Sequence, residues 1–67
     1  MNNIVSRQMC RQIKRRLEET GIYATIDEIQ EHADASARGE KPDTVLAMAV
    51  EDYMNEILES SANHKQS

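Results

Sequence analysis

The sequence predicts an all-α protein of three short helices joined by tight turns, on three observations. Apolar residues recur at helical spacing in three separate blocks, and alternation of period two nowhere persists over five residues. Gly21 and Gly39 divide the blocks, each where a helix would end. Helix-opening signals follow both glycines, first Thr25-Ile26-Asp27-Glu28 and then Pro42 with Asp43.

The first helix is expected from about Asn3 to Thr20. Val5, Met9, Ile13 and Leu17 recur every fourth residue, and with Cys10 they fall in one arc of about 140°. Arg7, Arg11, Lys14 and Arg15 occupy the far side within about 100°, leaving Arg16 on the apolar flank. Gly21 suits the left-handed position that closes a helix, and Ile22 is placed to fold back on Leu17.

The second helix is expected over about 25–38. Thr25 and Glu28 have the spacing of a capping box, in which a hydroxyl and a carboxylate satisfy helix-end donors reciprocally. Ala24 and Ile29 sit at the staple positions, and Asp27 and Glu28 complement the helix dipole. Its buried face is read as Ile26, Ile29, Ala33 and Ala37, small side chains that allow close packing but contribute little apolar area.

The third helix is expected over about 42–60, with Pro42 in its first turn, where a missing N–H costs nothing. Its apolar set centres on the axis Leu46, Val50, Tyr53, Ile57 and covers nearly half the circumference, more than one neighbouring helix requires. The excess residues Val45, Met48, Met54 and Leu58 are therefore expected to form a dimer or partner interface. Residues 61–67 carry no apolar side chain but Ala62 and read as a disordered tail, leaving 1–60 as a single helical domain. The expected arrangement is an antiparallel hairpin of helices one and three, with helix two crossing it.

A 67-residue chain buries only about 60% of the surface that its unfolded form exposes. With no Trp, no Phe and a single Cys, it lacks both the large side chains and the disulfides that brace small domains. Oligomerisation is the remedy left, and a homodimer is expected. No run of 18 apolar residues occurs, nor the apolar core of a secretory signal, and one unpaired cysteine fits a reducing compartment, so the reading is soluble and cytoplasmic.

Charge is sorted along the chain. Residues 1–17 hold Arg7, Arg11, Lys14, Arg15 and Arg16 without an acid, while residues 18–67 hold all twelve acids against Arg38, Lys41 and Lys65. The face of Arg7, Arg11, Lys14 and Arg15 is therefore the expected site for an acidic partner, foremost a protein or the acidic helices of a second subunit. Nucleic acid ranks lower. The formal net charge is −4, no aromatic interleaves the basic residues, and the third helix carries Glu51, Asp52, Glu56 and Glu59 where a recognition helix would need cations. A membrane-surface role for the first helix lacks an aromatic anchor.

No catalytic, metal or cofactor site is read. His32 and His64 have no nucleophile and orienting group at a useful spacing, the carboxylates follow ordinary solvated helix faces, and neither a zinc spacing nor a phosphate-binding glycine loop occurs. Cys10 is expected at the edge of the apolar stripe as a half-buried thiol. The sharper alternative is a redox handle whose thiolate Arg7, Arg11 and Lys14 would favour.

A helix closed by Gly21, a second opened by T-I-D-E-I, and a third reading V-L-A-M-A-V-E-D-Y-M-N-E-I-L resemble, over about Met9 to Leu58, the small YmgB-type biofilm and acid-stress regulators of enteric bacteria. The resemblance implies a bacterial, helical homodimer without enzymatic activity that acts as a connector or regulator. Small phage- or plasmid-borne inhibitors and antitoxins share this size, acidity and helix content and form the alternative class, beside a weak DNA-binding regulator using the basic face of helix one.

Overall fold

A computed structural model describes residues 4–65, with the side chains of 61–65 outside the description. The described residues form three helices and no strand: α1 Arg7–Glu19, α2 Ile26–Ala37 and α3 Val45–Lys65. Each helix packs against the other two.

α1 begins at Arg7, later than expected, and Asn3 lies outside the described residues. Ser6 is the reason. Its backbone is extended and its Oγ accepts from the Met9 N–H at 3.1 Å, which satisfies a donor that the helix start leaves open. Val5 has both backbone groups engaged with α2, so it is buried without being helical.

The turns follow the sequence signals closely. Gly21 has φ +84°, with the Ile22 N–H bonded to the Leu17 carbonyl at 2.9 Å and the Gly21 N–H to that of Glu18 at 3.0 Å, which is a Schellman closure. Gly39, at φ +90°, closes α2 in the same way through Glu40 to Ala35 and Gly39 to Ser36. The capping box forms as expected. Thr25 Oγ1 accepts from the Glu28 N–H at 3.1 Å and Glu28 Oε1 accepts from the Thr25 N–H at 2.9 Å.

α3 starts at Val45 rather than near Pro42. Thr44 Oγ1 accepts from the Ala47 N–H at 3.0 Å and the Thr44 carbonyl from the Met48 N–H at 2.9 Å, so threonine caps the helix and the proline precedes the cap. At its other end α3 runs to Lys65, past the expected boundary near Ser60. For the expected tail, 61–67, side chains throughout and the backbone of 66–67 lie outside the described residues.

The core joins Cys10, Ile13 and Leu17 of α1, Ile29 and Ala33 of α2, and Val50 and Met54 of α3, with Val5 and Ala24 from the flanking segments. Burial on α3 follows Ala47, Val50 and Met54, spaced i, i+3, i+7. That axis is rotated from the expected one, and Leu46, Tyr53 and Ile57 are its half-buried flank. The rotation corrects the expected interface. Met54 is only 6% exposed and belongs to the chain's own core, whereas Val45, Met48 and Leu58 remain 75%, 50% and 51% exposed. Ala37, expected on the buried face of α2, is exposed.

Candidate binding surface

The five cations of α1 separate into two kinds. Arg7 Nη2 meets Asp27 Oδ1 of α2 at 3.1 Å, and Lys14 Nζ donates to Glu18 Oε2 at 2.8 Å and to the Ala24 carbonyl at 3.2 Å. Arg16 lies on the other flank, where its guanidinium pairs with Glu56 of α3, reaches Glu19 at 3.9 Å and stands 5.1 Å from the centre of the Tyr53 ring. Arg11 and Arg15, one turn apart and opposite the buried stripe, are exposed and make no ion pair among the described residues. The expected basic face of four thus reduces to a crest of two.

Beside that crest runs a groove of about 550 Å³ between α1 and α3. Gln8, Gln12 and Arg16 form one bank, Glu56 and Ser60 the other, and Met9, Ile57 and Leu58 line it with apolar surface. A second hollow, of about 480 Å³, shares Ser6, Met9 and Leu58 with the first and extends it past Ile4, Val5 and Met54 to the C-terminal end of α2. The two adjoin at Ser6, Met9 and Leu58, which line both.

One wall of the second hollow is the segment before α1, and α2 fixes it through its backbone. The Val5 N–H donates to Asp34 Oδ1 at 2.8 Å, and Gln30 Nε2 donates to the Val5 carbonyl at 2.6 Å and to Asp34 Oδ1 at 3.0 Å. Sequence reading did not single out Gln30 or Asp34. The signal was present: Gln30 stands between Ile26 and Ala33 on the apolar stripe of α2, where a polar side chain must find partners inside. Gln30 Oε1 is buried and has no hydrogen-bond partner among the described residues.

Cys10 is fully buried rather than at the edge of the stripe. Burial pushes its thiol up, the Asp34 charge pushes in the same direction, and Arg7 acts the other way with the smallest effect. These surroundings hold the neutral thiol, the opposite of what a redox handle requires. Arg11, expected to favour a thiolate, faces away from it. Among the described residues no group of three or more His, Cys, Asp or Glu side chains converges, and no helix is long and apolar enough to cross a membrane. His32 is half-buried beside a shallow hollow lined also by Glu31, Arg38, Glu40 and Asp43, and the side chain of His64 lies outside the description.

Scans of family models, of curated proteins and of solved structures each find no match to this chain.

Proposed function

We propose that the chain is a small non-enzymatic regulator that acts by binding another protein with the α1–α3 surface. One observation carries the reading: a groove with Met9, Ile57 and Leu58 between polar banks, on the same exposed side of α1 as Arg11 and Arg15, which make no ion pair among the described residues. A groove lined by Met9, Ile57 and Leu58 suits the apolar stripe of a partner helix. Arg11 and Arg15 would select a partner with carboxylates along one edge, since Arg pairs well with carboxylate forks. The reading includes self-association, because the core is small and Ile4, Val45, Met48 and Leu58 leave apolar surface in water. The connector role of the YmgB-type regulators, in the cytoplasm of a bacterium, belongs to the same proposal, and an inhibitor or antitoxin role would use the same surface.

The test is affinity capture from the native host with three baits: the wild-type chain, Leu58→Glu, and Arg11→Glu with Arg15→Glu. A protein retained by the wild type and lost from both variants is the expected result. A captured set indifferent to both variants would refute the reading.

Direct DNA binding is the second reading, favoured by the same two arginines. Two phosphate contacts on a chain of net charge −4 give only weak, salt-sensitive association. No retardation of duplex DNA at about 50 mM salt is expected, and retardation that the Arg11/Arg15 reversal abolishes would move the function to the nucleic-acid class.

A further inference from the structure

At 100° per residue Arg11 and Arg15 fall within about 40° of one another on α1, and Asp52, Glu56 and Glu59 within about 60° on α3. All five residues are exposed. The α1–α3 groove has Arg16 on its α1 bank and Glu56 on its α3 bank, so these two rows extend a cationic side and an anionic side. A surface of this kind is complementary to its own image. A two-fold rotation lays the basic row of one copy on the acidic row of the other and repeats that contact on the far side of the axis. A surface of single sign would repel its image instead. The apolar residues between the rows, Met9, Ile57 and Leu58, would meet their counterparts near the axis, and α1 and α3 of both copies would form a four-helix layer pair.

We propose that a second copy of this chain seats on the α1–α3 groove about a two-fold axis, its acidic α3 row against Arg11 and Arg15, so that self-association masks the crest which the single chain offers to an acidic partner. The inference rests on the protein-binding reading and adds its regulation: second copy and partner exclude one another, and chain concentration sets how much crest is exposed.

Sedimentation equilibrium of the full chain tests the geometry with two charge-reversed variants, Arg11→Glu/Arg15→Glu and Asp52→Lys/Glu59→Lys. Both leave the internal pair of Arg16 with Glu56 in place. The wild type is expected to dimerise at micromolar concentrations, each variant alone to bind itself about a hundredfold more weakly, and an equimolar mixture of the two to recover a heterodimer. Phenylglyoxal labelling read by mass spectrometry tests the masking. Arg11 and Arg15 should be protected above the dimer constant and labelled below it, while Arg38, outside the groove, is labelled equally at both. The proposal is overturned by a wild type that stays monomeric at hundreds of micromolar, or by a dimer indifferent to the Arg11/Arg15 reversal. It is likewise overturned by a mixture that stays monomeric while both variants keep their helical circular dichroism, or by equal labelling of Arg11 and Arg15 at both concentrations. Loss of this dimer would leave capture of a partner by the single chain standing. Indifference of capture to Leu58, Arg11 and Arg15 would remove the binding reading and leave the dimer.

Discussion

At the scale of single residues, the helix ends decide where this chain turns, and a few polar atoms do the work. Glu28 holds its carboxylate on the Thr25 N–H and hydroxyl, and those two bonds, the backbone one foremost, keep its carboxyl below the usual glutamate value. The linkage follows in sign. A folded-state pKa below the unfolded one means that the stabilisation is present above the unfolded value, near 4.5, and is lost as pH falls through the lowered value. Glu28→Gln keeps an acceptor for the box but has no proton to gain. Urea unfolding at neutral pH and again below the glutamate range should therefore show the wild type losing more stability than Glu28→Gln. Parallel losses in the two proteins would mean that the carboxylate bonds contribute nothing that depends on charge.

At the scale of elements, what was legible in the sequence was what local chemistry fixes. Gly21, Gly39 and the Thr25–Glu28 spacing located both turns and the start of α2, because a left-handed glycine and a capping box leave their mark within a few residues. The start of α3 was missed because Pro42 was placed in its first turn, whereas Thr44 caps the helix and the proline precedes the cap; that of α1 was missed for another reason. An apolar residue at helical spacing reads as helix whether it lies inside the helix or just before its cap, and Val5 is buried from outside, pinned by side chains twenty-five and twenty-nine positions away. Such contacts have no local signature. Their weight can be measured at Asp34, whose Oδ1 accepts from both the Val5 N–H and Gln30 Nε2. Asp34→Ala should cost about 1.5–3 kcal/mol, the range for hydrogen bonds to a charged group, and Asp34→Asn distinctly less because an acceptor remains. Hydrogen exchange at the Val5 amide should accelerate in the alanine variant well before the α1 interior does. An unchanged Val5 amide would show that packing alone holds the segment against α2.

At the scale of the whole molecule, the sorting of charge was legible and its complement was not. The sequence placed cations first and acids after, and the natural inference was a basic face of four awaiting an acidic partner. Folding brings acids to the cations from three directions: Asp27 from α2, Glu18 from the next turn of α1, and Glu56 from α3. These pairs are largely exposed and each contributes at most about 1 kcal/mol, so they orient helices more than they stabilise them. The core carries the stability, and it is small. Leu17 is fully buried among all three helices, and Leu17→Ala should cost about 2–5 kcal/mol, which is comparable to the whole stability expected of a single chain this short. Circular dichroism at micromolar concentration should then show a chain largely unfolded at 25 °C. If self-association stabilises the fold, raising the concentration should recover helicity in Leu17→Ala, since only the folded form can present both rows of the groove. The same variant with Arg11→Glu and Arg15→Glu added should recover only at about a hundredfold higher concentration. Equal recovery in both would mean that the chains associate through some surface other than the charged groove.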